Sequence, residues 1–182
     1  MMHPAVERLV QLYPQAAAQD DRPAVDWESA EADLGSPLPN DYKELVERLG
    51  GGVLDDTFWL LEPGCEDPDY DLVAMTAERE EVLADLWKTE PKPEPLVSGD
   101  ARLIPWAYVE ESGHYLYWLA LPQQEPSDWT IMINEGRGSE WEQQTLPCAE
   151  FLARILTGEL SSSMFPELPT SPHIFRPNSE II

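Results

Sequence analysis

The sequence predicts an α+β domain in which helices cover one side of a strongly twisted, mostly antiparallel sheet. Apolar residues recur at helical spacing near both ends of the chain, and short runs between them alternate apolar and polar residues as strands do. Glycine and proline residues separate these runs at hairpin-like distances. The chain has 182 residues, of which 42% are hydrophobic, and this suffices for one domain with a single core.

The segment from residue 26 to residue 52 has the clearest local pattern. Asp26 can cap a first helix, which Gly35 ends with left-handed backbone. Asn40 stands at the cap position of a second helix, whose apolar stripe consists of Tyr42, Leu45, Val46 and Leu49. The run Gly50-Gly51-Gly52 is interpreted as a helix stop before a strand, because a phosphate-binding loop would precede a helix rather than follow it.

The other elements follow in order along the chain. Helices are predicted over residues 5–12, 76–87 and 147–158. Strands are predicted over 58–61, 102–109, 114–121 and 128–134 and around Trp141, and residues 62–71 form an acidic loop. The chain thus divides into an N-terminal helix and linker (1–25), a central domain (26–158) and a proline-rich C-terminal tail (159–182). We expect the tail to lie against the domain surface or a partner.

The order of several short motifs resembles the SUKH superfamily, also called the Smi/Knr cell-wall-regulator family. After the two capped helices come Ile104-Pro105-Trp106, the turn Glu110-Glu111-Ser112-Gly113, the strand Tyr115–Trp118, and Phe151-Leu152 in a closing helix. The chain departs from the family at Gly50, where Asn is usual. The resemblance implies the helix-covered sheet of the Smi/Knr-like fold, and a bacterial immunity protein that neutralises a toxin domain by binding it, not by catalysis. The alternative is a regulatory or scaffold module like the fungal members.

The chain is strongly acidic, with 35 acidic and 11 basic residues and a formal net charge of −24. A potential of this sign repels nucleic acid, whose binding depends on neutralising phosphates with Lys and Arg. It attracts basic surfaces and accelerates association with them. Two interpretations stay open. The acidity serves solubility alone, or it provides an acidic surface that blocks the basic active site of a toxin domain such as a nuclease.

If a partner binds, we expect contacts from acids in the 55–71 region and on the 110–111 turn, together with aromatic residues of the neighbouring strands. Aromatic side chains with acids around them suit interface centres, although each of them also suits a core. The candidate residues are Asp55, Asp56, Glu62, Glu66, Asp67, Asp69, Asp71, Trp59, Trp106, Tyr108, Glu110 and Glu111.

The sequence predicts no catalytic, cofactor or metal site. Its three histidines are scattered, and neither a nucleophile elbow nor a zinc-ligand pair is present. Asp67, Asp69, Asp71 and Glu78 have the spacing of a calcium-binding loop, but Leu72 stands where such a loop needs glycine. Cys65 and Cys148 are expected to be free thiols. With no membrane-spanning apolar run and no signal peptide, we expect a cytoplasmic protein.

Overall fold

The computed structural model describes residues 1–19, 21–165, 168 and 172–182. Its strands are β1 (Gly52–Leu54), β2 (Phe58–Leu60), β3 (Arg102–Val109), β4 (His114–Ala120), β5 (Thr130–Asn134), β6 (Trp141–Gln144) and β7 (Phe175–Pro177). All pair antiparallel, in the order β6-β5-β4-β3-β2-β1-β7. The helices are α1 (Pro4–Leu12), α2 (Pro14–Ala17), α3 (Trp27–Leu34), α4 (Asn40–Leu49), α5 (Leu72–Leu86), α6 (Glu94–Val97), α7 (Cys148–Leu156) and α8 (Asn178–Ile181). The predicted α+β class is confirmed.

The caps of α3 and α4 explain where these two helices begin and end. Asp26 accepts a hydrogen bond from the amide of Ser29 at 3.0 Å, and Gly35 ends α3 with a left-handed φ of 74°, as predicted. The predicted cap at Asn40 was wrong: Asn40 is the first helical residue of α4, and Pro39 precedes it with extended backbone. The pyrrolidine ring of Pro39 fixes that extended approach.

Helices α1, α4 and α7 cover one face of the sheet and form the main core with it. The α4 stripe is fully buried at Leu45 and Leu49, together with Leu9 of α1 and Phe151 of α7. Asp41 on α4 holds α7 in place, because its buried carboxylate accepts the Ala149 amide at 3.0 Å. This carboxylate therefore stabilises the positive N-terminus of a neighbouring helix.

Helices α5 and α6 also cover part of the opposite face, in addition to the side whose helical cover the sequence predicts. Leu83 of α5 and Leu96 of α6 pack in a second cluster, whose sheet members are Leu103, Tyr117, Leu119 and Met132. The central strands are apolar on both faces, and both faces must therefore be covered. Helix α5 begins at Leu72, earlier than predicted, because Asp71 caps it through the Ala74 amide at 2.8 Å.

The C-terminal tail extends the sheet at its β1 edge. Strand β7 pairs with β1, and the amide of Asn178 donates to the carbonyl of Gly51 at 3.1 Å. Gly52 lies so close to β7 that a Cβ atom there would overlap the carbonyl oxygen of Arg176. The glycine run thus permits close approach of the tail as well as ending α4. The predicted domain boundaries remain predictions, and both flanking segments pack on the described fold.

Replacing Gly52 by Ala is expected to detach β7 from β1, because the added methyl group overlaps the β7 backbone. We expect a loss of about 1–3 kcal/mol of unfolding free energy. Hydrogen exchange should accelerate at the Asp55 amide, which donates to the Ile174 carbonyl at 2.8 Å. The control is Gly99→Ala, where φ is also positive but no atom lies within 4 Å of the added Cβ. Unchanged exchange at Asp55 in the Gly52→Ala variant would contradict this account of the tail.

Candidate protein-interaction surface

A β-bulge in β3 determines which aromatic side chains enter the main core. The pairing of β3 with β4 shifts between Pro105 and Ala107, which leaves Trp106 as the extra residue. Trp106 and Ala107 both lie in the main core, and beyond the bulge Tyr108 lies on the opposite face. The expectation that Trp106 contacts a partner was therefore wrong, since its side chain is fully buried.

The face opposite α1, α4 and α7 carries a row of aromatic residues across the paired strands. Trp59 on β2 pairs with Tyr108 on β3, which pairs with Tyr115 on β4. The ring of Tyr70 stacks on Trp59 at 3.9 Å between centroids, and the rings of Tyr108 and Tyr115 are 4.9 Å apart. We call this surface the aromatic face; its members are Trp59, Tyr70, Tyr108, Tyr115, Tyr117 and Trp141. Tyr70, Tyr108 and Tyr115 are only partly buried, so the rings remain accessible there.

Arg79 of α5 contacts Tyr115 and Tyr117, which we call the inner half of the aromatic face. Its guanidinium lies 4.2 Å from the ring centroid of Tyr115, its Nε donates to the hydroxyl of Tyr117 at 2.9 Å, and its Nη2 donates to the carbonyl of Gly136. The residue is only 5% exposed, so these contacts replace water around the cation. A desolvated cation on a ring face contributes up to about 2 kcal/mol. Arg79 therefore holds α5, β4 and the turn after β5 together.

Carboxylates surround the accessible tyrosines, and we call this set the acidic rim: Asp67, Asp69, Glu78 and Glu110. Burial, then Glu110 and Asp67, raises the pKa of Tyr70 to about 12. Burial, with Glu110, Asp69 and Glu78, raises the pKa of Tyr108 as well. Within the described part of the chain, no rim carboxylate takes part in an ion pair. The rim therefore keeps its negative charge free to act on a partner.

The folded protein is expected to lose stability in alkali as its tyrosines ionise. Burial raises the pKa of Tyr117 from 10 to about 12, although Arg79 opposes the shift. The unfolded chain releases this proton near pH 10, so stability is complete below about pH 10 and falls by roughly 3 kcal/mol as the pH rises to about 12. Absorbance titration of the phenolate band tests this. A native protein whose tyrosines all ionise near pH 10 would contradict it.

Four predicted contact acids have structural roles away from the rim or beneath it. The Asp55 carboxylate is 1% exposed and contacts the tail, through the Ile174 amide at 2.9 Å and His173 Nδ1 at 2.7 Å. Asp56 forms an exposed ion pair with Arg176 at 3.0 Å. The Glu62 carboxylate accepts a hydrogen bond from the Gly51 amide. The Asp71 carboxylate accepts hydrogen bonds from the Gly64 amide in the loop and from the Ala74 amide at the start of α5.

The other predicted residues lie on or beside the aromatic face. Trp59 and Tyr108 belong to it, and Asp67, Asp69 and Glu110 belong to its rim. Glu66 and Glu111 are exposed next to rim residues in the chain. Whether any of these residues contacts a partner stays a prediction.

Three features of this surface were not predicted from the sequence: Tyr70, Arg79 and the place of Glu78 in the rim. Arg79 had a usable signal, because it continues the helical spacing of Leu72, Met75 and Leu83, all of which are buried. A charged residue in such a stripe faces inward and needs a polar or aromatic partner. Tyr70 gave no signal, since its contact with Trp59 depends on how the loop folds back on β2.

A cleft of about 810 Å³ lies between the linker, the end of α4 and α8. Its Arg22 donates to the carbonyls of Ala16, Glu47 and Arg48 at 2.9, 3.2 and 2.6 Å. This guanidinium satisfies carbonyls at the C-termini of α2 and α4, and so serves structure rather than ligand binding. In the described residues, no group of three or more His, Cys, Asp or Glu side chains could hold a metal ion, and no helix is long and apolar enough to cross a membrane.

Comparison with known proteins agrees with the architecture. The model of the SMI1-KNR4 cell-wall family, SUKH_6, matches residues 25–152, which include α3, α4, the strands β1 to β6 and the start of α7. The sequence has no match among curated individual proteins. The family match spans more than half of the chain and confirms the resemblance drawn from its motifs. The chain belongs to the SUKH superfamily, in the SMI1-KNR4 family.

Proposed function

We propose that this protein is an immunity protein that binds a basic toxin domain, such as a nuclease, and blocks it sterically without enzymatic turnover. Family membership supports a protein-interaction module, either of the immunity kind or of the Smi/Knr regulatory kind. One observation carries the choice of binding surface: the accessible tyrosines of the aromatic face lie within an unneutralised acidic rim. This combination suits a basic protein surface.

The chain has many more carboxylates than basic side chains, which supports electrostatic attraction of a basic partner. Among the described residues, ion pairs engage seven acidic side chains, whereas the chain contains 35. Most of the described carboxylates therefore have no cation paired with them. Such a field steers a basic partner and raises the association rate, in favourable cases to about 10⁸–10⁹ M⁻¹s⁻¹ at low salt.

The aromatic part of the proposal concerns the centre of the interface. Protein interfaces are enriched in Tyr and Trp at their centres and depleted of charge there, with polar residues around the edge. Tyr108 and Tyr115 are held by cross-strand pairing, and Tyr70 is held by its stack on Trp59. Because these rings are already ordered, binding would cost little side-chain entropy.

The test is protection of a bacterium against a toxin. Any toxin-like domain encoded beside this gene in its native genome would be expressed in a susceptible bacterium, with and without this protein. We expect growth only in the presence of the protein, and a stable complex of the two on size-exclusion chromatography. Cell death despite well-expressed, folded protein, with no complex formed, would contradict the immunity function. Capture of an endogenous signalling protein instead would favour the regulatory alternative.

A further inference from the structure

The aromatic face already holds one guanidinium group. Arg79 lies over the ring of Tyr115 at 4.2 Å and donates to the hydroxyl of Tyr117 at 2.9 Å. Within the described part of the chain it has no carboxylate at ion-pair distance. A ring face and a hydroxyl group of this surface, together with the backbone carbonyl of Gly136, thus hold a desolvated guanidinium.

The outer part of the same face offers a similar environment, with carboxylates added. The Trp59–Tyr70 stack and the Tyr108–Tyr115 pair lie side by side, because Trp59 and Tyr108 are cross-strand partners. Asp69 directly precedes Tyr70 in the short 3-10 helix Pro68–Tyr70, and Glu110 follows the end of β3, two residues after Tyr108. In keeping with this placement, both carboxylates raise the pKa of both tyrosines. No internal cation corresponds to Arg79 on this side, since the described ion pairs leave the rim unpaired.

We infer that Tyr70 and Tyr108, with the carboxylates of Asp69 and Glu110, form a subsite for an arginine side chain of the protein partner. The inference rests on the proposed function and specifies the chemistry of its binding surface. Arginine fits better than lysine for two reasons. Its planar guanidinium stacks on a ring while it donates in pairs to carboxylates, and it is more weakly hydrated than an ammonium group.

Discrimination between arginine and lysine tests the subsite. An oligoarginine peptide and an oligolysine peptide of equal length would be titrated into the full-length protein by calorimetry at low ionic strength. The overall negative field attracts the two peptides alike, because their charges are equal. A preference for arginine that came only from paired hydrogen bonds to carboxylates elsewhere on the surface would persist in the tyrosine variants. Stacking on accessible rings should make the oligoarginine peptide bind roughly fivefold tighter.

Variants then locate the preference. Tyr108→Leu is expected to remove the preference for arginine and to leave the affinity for oligolysine nearly unchanged. Should Tyr108→Leu fail to fold, Tyr70→Leu alters the same subsite at a surface loop. Glu110→Gln should weaken binding of both peptides. The matched control is Glu125→Gln, the same change at an exposed residue in the loop at the opposite end of β4, which should have little effect.

The outcomes separate the subsite from the proposed function. Equal affinity of the wild-type protein for both peptides would overturn the arginine subsite and leave electrostatic binding of a toxin domain standing. A preference for arginine that survives both tyrosine variants would also overturn it. By contrast, a preference lost in these variants, combined with failure of the growth-protection test, would support the subsite and reject the immunity function.

Discussion

Replacing Leu45 by Asp is expected to unfold the domain. Leu45 lies at the centre of the α4 stripe, with no exposed surface, and contacts the core that α1 and α7 also enter. Loss of its apolar contacts alone costs about 2–5 kcal/mol. An unpaired buried carboxylate adds several kcal/mol more, and domains of this kind have only about 5–15 kcal/mol of stability in total.

Circular dichroism during thermal unfolding measures this effect. The matched control is Arg48→Asp, which introduces the same side chain at an exposed position of the same helix. Its negative charge near the C-terminus of α4 should cost no more than about 1 kcal/mol. A Leu45→Asp variant that melts within a few degrees of the parent would contradict the packing of α4 described above.

Reversing the charge of the acidic surface is expected to slow association with a partner by roughly 10- to 100-fold at low salt. The variant carries Lys at Glu66, Asp69 and Glu110, whose side chains are exposed. Asp67 is left in place because its carboxylate accepts the Asp69 amide at 3.0 Å and caps a short 3-10 helix, Pro68–Tyr70. Exposed charges contribute little stability, so the melting temperature should change little.

Stopped-flow binding to the captured partner across a salt series measures the rates. The parent should associate more slowly as salt rises, because the Debye length is only about 10 Å at 0.1 M salt, while dissociation changes less. A matched control places Lys at the exposed residues Asp100, Glu125 and Asp128, at the opposite ends of β3 and β4. If both triple variants slow association equally, net charge rather than the position of the carboxylates around the aromatic face controls the rate.

Local patterns predicted the five longer helices (α1, α3, α4, α5 and α7) and most strands, because each depends on short-range spacing and caps. The four-residue helices α2, α6 and α8 were not predicted. The stripe on α4, the cap at Asp26 and the left-handed stop at Gly35 all involve residues close together in the chain. The pairing of the tail with β1 depends on contacts between residues far apart. No periodicity in a segment as short as Phe175–Pro177 reveals its partner strand.

The candidate surface was predicted in part, and the bulge in β3 explains the main error. With strict alternation Trp106 and Tyr108 would share one face, and both are among the contact residues expected from the sequence. The bulge places Tyr108 on the aromatic face and leaves Trp106 in the main core. A single extra residue in one strand leaves no trace in an alternating pattern, whereas Asp69 and Glu110 were identifiable from charge and loop position alone.

The central claim is that the aromatic face and its acidic rim contact a basic protein partner. Zero-length carbodiimide cross-linking of the captured complex tests it most directly, because the reagent joins a carboxylate only to an amine in contact with it. We expect cross-links to lysines of the partner from the rim residues Asp69 and Glu110 and from the neighbouring Glu66, and their loss when Tyr108→Leu or Tyr70→Leu weakens the complex. Cross-links confined to Asp100, Glu125 and Asp128, at the other end of the sheet, would contradict it.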